Sequence, residues 1–278
     1  MTQGPREVEG VLVVHADDPE AVARRLAALD AVDRFQLVPR AALRLRDASL
    51  DTGDGALGAA RVTLRLREQD GQALLTLKAD AVRTGLAAER LELEASWSGE
   101  ILQAVLAELR RRGIPGADPD VGPRTGRVAD DVKEGSGLST GGPLAALGRL
   151  GFHPTQVRET IRTPRDVVDR ARPDAATVAE LVVDDVGYRF PAGRVRLLEV
   201  EVEAKGAGGL DTVQALLTAL AEAFPGELRP WPHGKLATGR AVERLLAAGR
   251  LDGLLDLDGR LRPAAFEPLA ELLAQNIP

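Results

Sequence analysis

The sequence predicts an α+β protein in which antiparallel strands close into a barrel, with helices on its outside. Three observations predict it. Segments with an apolar–polar period of two recur in both halves of the 278-residue chain. Amphipathic segments of helical period lie between them. The charges on the polar strand faces are sorted, with paired carboxylates on some strands and Arg or Lys on others. An open sheet with one face in water would satisfy the first two observations. The sorted charges run longer than solubility needs, which favours closure around an aqueous lumen lined with both signs.

The elements follow in chain order. Glu7-Val8-Glu9 begins the first short alternation, and Asp18-Pro19-Glu20 supplies a capping side chain, a preset φ and an acidic first turn for a helix carrying Val22, Leu26 and Leu29. Arg44-Leu45-Arg46 alternates next. In 62–67, Val62, Leu64 and Leu66 oppose Thr63, Arg65 and Arg67, and Leu75-Thr76-Leu77-Lys78 repeats the pattern. Leu91, Leu93 and Ala95 oppose Arg90, Glu92 and Glu94. Ser98 caps a helix through Ile101, Leu102, Val105, Leu106 and Leu109, which ends at Arg110-Arg111-Arg112 and Gly113 as the helix dipole and the C′ position favour. The stretch 113–143 is rich in Gly, Pro, Asp, Ser and Thr, without periodicity, and is expected to be a flexible connection. Its GSGLSTGG has neither a leading strand nor a following Gly-Lys-Ser/Thr, so it is not read as a phosphate loop. Beyond it, Leu198, Val200 and Val202 oppose Glu199, Glu201, Glu203 and Lys205. Asp211 is expected to cap a helix ending at Pro225-Gly226, another helix runs from Lys235 to Ala248, and the tail after Pro263 reads as a last one.

Composition limits the chemistry. With no Cys there is no disulfide framework, thiolate zinc site or cysteine nucleophile. Aromatics are 3%, too few for base-stacking platforms, so a nucleic-acid partner is not expected. Thirty-six Lys and Arg against 42 Asp and Glu give a net charge of −6, so any cationic site must be focused in a cavity. Met1 to Val14 lacks a basic-then-apolar leader pattern, and no apolar run approaches the ~20 residues of a membrane helix. A soluble, cytoplasmic protein with no membrane partner is expected. His15, His153 and His233 stand in no metal-ligand spacing, and Trp97 and Trp231 are expected to pack between helices and barrel.

Arg and Lys converging on one cavity suit phosphate oxygens, and carboxylates two residues apart on a strand suit oxygen-seeking Mg²⁺ or Mn²⁺. At this point the residues carry a family resemblance. Glu7-Val8-Glu9 is similar to the ExExK signature of the CYTH superfamily, the triphosphate tunnel metalloenzymes. The run LRDASLDTGDGALGAARVTLRLREQDGQALLTLKAD, beginning at Leu45, resembles that family's Asp-Thr turn, LRxR strand and LTxK strand. Arg90 with Glu92 and Glu94, then Arg162, VAELVVDDV, LLEVEVEAKG and HGKLATGRAVERLL follow in the family's order. The resemblance spans 1–246 as one tunnel domain, its motifs running from about 7 to 246, and leaves 247–278 as a C-terminal helical extension.

The resemblance implies a closed β-tunnel that acts on triphosphate-bearing or polyphosphate ligands with Mg²⁺ or Mn²⁺. It implies Glu7, Glu9, Glu201 and Glu203 as metal ligands, with Glu199 as a register alternative. Arg65, Arg67, Lys78, Arg162 and Lys235 would grip phosphates and carry the electrostatics of catalysis, with Arg90 and Asp184 beside the substrate. Two positions depart from the pattern. The signature Lys is Val11, which the period of two places on the carboxylate face, projecting into a charged cavity. Ser49 and Leu50 stand where an aromatic usually precedes the Asp-Thr turn. The leading expectation is metal-dependent hydrolysis of inorganic triphosphate or a related ester, with low turnover for want of the Lys. A non-catalytic polyphosphate- or nucleotide-binding module is the alternative from another class, and an adenylate cyclase of the class IV type or a thiamine-triphosphatase are alternatives within the fold. A third role for the closed barrel is structural, with the C-terminal helices as docking surface.

Overall fold

The computed structural model of the chain describes residues 6–114, 142–172 and 176–275. The GSGLSTGG run, apart from Gly142, and most of the 113–143 connection lie outside the described residues. Eight long strands form a closed ring: β1 (Arg6–Val14), β4 (Leu43–Thr52), β5 (Thr63–Gln69), β6 (Gln72–Thr84), β7 (Ala87–Ser96), β8 (Phe152–Asp169), β9 (Thr177–Phe190) and β10 (Gly193–Ala204). Around the ring they run β8, β4, β5, β6, β7, β1, β10, β9, and the β8–β9 pairing closes it. Every pairing is antiparallel. Closure leaves no edge to protect. Short strands β2 (Ala31–Val32) and β3 (Phe35–Pro39) extend the sheet beside β8, and β11 (Leu228–Pro230) adds to β1.

The alternation predicted from sequence decides what faces out. Leu64, Leu66 and Leu77 are fully buried outside the barrel, in a cluster with Ile101, Leu102, Val105 and Leu109 of helix α3 (Gly99–Arg111). Short α2 (Ala56–Ala59) and α4 (Pro143–Arg149) close over the same face. Val200 and Val202 are buried under α5 (Leu210–Ala223), and Val22 and Leu26 of α1 (Pro19–Ala27) join that cluster. Gly10 is required there, because a Cβ would overlap the Leu217 side chain of α5. Asp18 accepts from the Ala21 N–H and Ser98 from the Ile101 N–H, as expected of caps. Asp211 does not cap α5. The cap position is Gly209 and Asp211 lies in the first turn, where its charge still favours the positive helix end.

A third apolar cluster lies inside, at one end of the barrel. Helix α6 (Lys235–Ala247) enters this end, and Trp231, Val242 and Leu245 pack with Val13, Tyr188, Val195 and Leu197 of the barrel wall. Gly239 makes this possible, since a Cβ there would run into Gln156 and the Tyr188 ring. The Tyr188 hydroxyl donates to the Lys235 carbonyl (2.9 Å) and Gln156 Nε2 to the Leu236 carbonyl (3.3 Å), fixing the first turn of α6. Residues of the C-terminal stretch, Leu251, Leu261, Phe266 and Leu269, share this cluster, the last two from α7 (Phe266–Ala274). No helix among the described residues is long and apolar enough to cross a membrane.

Candidate functional site

The inward strand faces enclose a cavity of about 690 Å³, within the range that accepts a small ligand. Twelve Arg and Lys and seven Glu line it. Glu7, Glu9, Arg65, Arg67, Lys78, Arg90, Arg162, Glu201, Glu203 and Lys235 are all among them, so strand alternation brings these sequence candidates together from seven elements. Asp184 and Glu199 also point inward, but both are fully covered behind Lys235 rather than lining open space.

The charges fall into three groups. In the first, Lys235 reaches from the start of α6 to Asp184 (3.1 Å), Glu199 (2.9 Å) and Glu201, while Arg162 grips Asp184 through two parallel bonds (2.9 and 2.7 Å) and also touches Glu201 (2.9 Å). Burial alone would raise the Glu201 carboxyl, but Lys235 and Arg162 outweigh it and hold it well below the usual range. Burial raises Glu199, whose Oε1 has no hydrogen-bond partner.

The second group is carboxylate-rich. Lys78 lies 2.8 Å from Glu7 and 2.9 Å from Glu92, and Arg90 contacts Glu7 (2.9 Å) and Glu9 (2.7 Å). Burial favours a neutral Glu7, yet Lys78 and Arg90 bring its pKa to about 2. Burial dominates at Glu9 and lifts it to about 7. Glu9 also stands directly across from Glu203, a like-charged pair that a cation would relieve. Oxygens of Glu7, Glu92 and Glu203 lie within 4.8 Å of one another, and burial raises both Glu92 and Glu203. These three converging carboxylates, each with a Lys or Arg beside it, form an all-oxygen donor set that fits Mg²⁺ or Mn²⁺. Glu92 stood in sequence beside Arg90 and Glu94, in an alternating face and in the family's order, but without a metal-holding role; its cross-strand position opposite Lys78 brings it in.

The third group was largely missed. Asp47, 1% exposed, accepts two bonds from Arg67 (2.8 and 3.1 Å) and lies 2.9 Å from Arg158. Burial opposes its charge, but Arg158 and Arg67 more than offset this and hold Asp47 well below the ordinary carboxylate value. Arg67 therefore lines the cavity with its guanidinium already satisfied. Arg65 differs. Burial and neighbouring Arg67 push its pKa down, its carboxylate contacts are Glu94 (3.0 Å) and, more distantly, Asp47 (3.9 Å), and its Nε is unpartnered. Arg158 was legible, since Gln156, Arg158, Thr160 and Arg162 alternate on β8. Arg44 and Arg46 face outward from β4 into a separate cavity while Asp47 faces in.

Val11 lies directly opposite Glu201, on the predicted face. It does not project into a charged cavity, however. It is buried in the apolar cluster around α6, with Trp231 and Ala241, where strand alternation continues below the charged zone.

No protein-family profile matches the chain, and no curated protein matches it. Solved structures do. A Hippeastrum protein described as an adenylyl cyclase with a dominant triphosphatase activity aligns at 18% identity and a TM-score of 0.49, covering 85% of this chain and 96% of that one. A proposed adenylate cyclase from Bacillus halodurans aligns at 15% identity and 0.47, over 83% and 95%. The Mimivirus capping-enzyme triphosphatase aligns at 8% identity and 0.35, over 78% and 88%.

Proposed function

We propose that the chain is a CYTH-like triphosphate tunnel protein that binds a linear triphosphate together with Mg²⁺ or Mn²⁺ and hydrolyses it with low turnover. The observation that carries this reading is the meeting, in one cavity inside the barrel, of Arg65, Lys78, Arg162 and Lys235 with the three-carboxylate cluster of Glu7, Glu92 and Glu203. In this reading 1–246 is the tunnel unit, and 247–278 is an extension that closes its α6 end.

Glu7, Glu92 and Glu203 would hold the ion, with Glu9 and Glu201 close by. A bound divalent ion neutralises phosphate charge and polarises the phosphoryl group. The protein's part is positioning and electrostatics. Arg65, with an unpartnered N–H, and Lys78, beside the carboxylates that would hold the ion, would donate to phosphate oxygens. Arg162 and Lys235, fixed by Asp184, set the inner end of the anion site. Arg67 and Arg158 hold Asp47 and keep the wall that presents Arg65.

Turnover is low in this reading because Val11 supplies no proton-transfer group, a contribution typically worth ~10²–10⁴-fold. The same residue favours the second reading, a polyphosphate-binding module without turnover. A cyclase or thiamine-triphosphatase reading is weaker, since the described residues lining the cavity include no aromatic to stack on a ring. Phosphate release from tripolyphosphate with Mg²⁺ or Mn²⁺, measured beside a thermal shift with the same ligands, separates them. Slow release with a shift is the expected result. A shift without release supports the binding module, and neither rejects both.

A further inference from the structure

The outer part of the cavity, beside α6, is built differently from the core of the site. Arg61, Arg240 and Arg244 line it together with Gly58, Leu272 and Leu273. In the core almost every cation has a close carboxylate partner. Out here Arg61 has no ion-pair partner among the described residues, and Arg240 has only Asp51 at 3.5 Å. That carboxylate is already occupied, accepting from the Leu57 and Gly58 N–H groups.

Arg61 is also held in a costly backbone. Its φ is +55°, in the left-handed region. Among the described residues the other positive-φ positions are eleven Gly and three Asp, residue types that tolerate this region. Arg61 follows the end of α2, with its N–H bonded to the Gly58 carbonyl, at a position where glycine is the favoured choice. A long cation in a place that suits glycine, aimed at a cavity, is an outlier that points to function.

The cations also form a line. Ala237, Arg240, Ala241 and Arg244 follow the i, i+3, i+4, i+7 pattern of one helix face, and Lys235 begins the same helix. At ~1.5 Å per residue, Lys235 to Arg244 spans roughly 13 Å of axis. This track leads outward from the proposed anion site at Lys235.

Resting on the triphosphate reading above, we propose that the Arg61–Arg240–Arg244 track is a subsite for phosphates beyond the third, so that the preferred ligand is a linear polyphosphate longer than tripolyphosphate. A polyphosphate is favoured over a nucleic acid bearing a 5′-triphosphate because no aromatic side chain among the described cavity residues offers a base a stacking surface.

The test compares binding of tripolyphosphate and of a long-chain linear polyphosphate, at fixed Mn²⁺ and low salt, by the full chain and by Arg61→Gly and Arg240→Ala. Wild type should bind the long chain more tightly than tripolyphosphate. Each variant should lose roughly two- to fivefold for the long chain, as expected of an exposed charge pair, with tripolyphosphate binding unchanged. Arg61→Gly should melt no lower than wild type, since glycine suits that φ, so its loss of binding cannot be blamed on unfolding. Equal affinity of wild type for the two ligands, or an equal loss for both in the variants, overturns the proposal and leaves the triphosphate reading standing. Failure of wild type to bind either ligand removes the reading on which it rests. A 5′-triphosphorylated RNA that competes better than the long-chain polyphosphate also overturns it.

Discussion

Asp47 shows how a single residue can hold the wall of an ionic cavity. It is buried between Arg67 and Arg158, and removing one partner of such a cluster strands the others without water. Asp47→Ala should therefore destabilise the protein by about 3–5 kcal/mol, read as a fall in the chemical-denaturation midpoint. Asp47 also carries a pH signature. Its folded pKa is depressed below an unfolded value near ~3.9, so its contribution is complete above that value and is lost as pH falls through the folded one. The wild-type midpoint should drop steeply in that acid window, and Asp47→Asn should flatten the drop. A variant as acid-sensitive as wild type would show that other carboxylates govern acid unfolding. The pairing also sets which lumen cations the fold depends on. The nearest carboxylate partner of Arg65, Glu94, is partly exposed, whereas Lys235 neutralises buried Asp184, Glu199 and Glu201. Lys235→Ala should cost about 3–5 kcal/mol of stability, whereas Arg65→Ala should melt close to wild type.

At the scale of elements, the strands were the most legible part of the chain. Alternation in 62–67, 89–95 and 198–205 fixes which face is apolar, and helices with clear caps, such as the one begun by Ser98, account for where those faces go. What alternation does not carry is depth along the barrel. Val11 and Glu201 share a face and stand opposite each other, yet Val11 belongs to the apolar plug. That plug is set by α6, whose entry depends on Gly239 meeting Gln156 and Tyr188 from distant strands. The direction of β4 is hidden for a related reason: with charge on both faces it has no local sign that Asp47 points in and Arg44 and Arg46 point out. The seat of α6 is open to test. Gly239→Ala should overpack it at a cost of about 1–3 kcal/mol, and because it lifts the turn that bears Lys235, tripolyphosphate affinity should fall as well. Calorimetric titration of a variant still folded at the assay temperature checks this; unchanged affinity would mean that Lys235 is placed independently of the seat.

Taken as a whole, the molecule uses helices to bury the outside of a ring so that its inside can stay charged. Such an interior is under electrostatic tension in the absence of ligand, with Glu9 facing Glu203 and Lys78 and Arg90 shared among several carboxylates. A ligand that satisfies both signs, a polyanion with a divalent cation, should therefore stabilise the fold. At a hundredfold excess over its Kd, tripolyphosphate with Mn²⁺ should add about 2.7 kcal/mol, seen as a rise in Tm that shrinks when the metal is chelated. The most direct measurement of the central claim, that the lumen is a triphosphate site, is calorimetric titration of tripolyphosphate with Mn²⁺ into wild type and Arg65→Ala. Wild type should bind saturably, and the variant should bind roughly 1.5–3 kcal/mol more weakly while its fold is retained. No binding by wild type, or equal affinity in a folded Arg65→Ala, would contradict that claim.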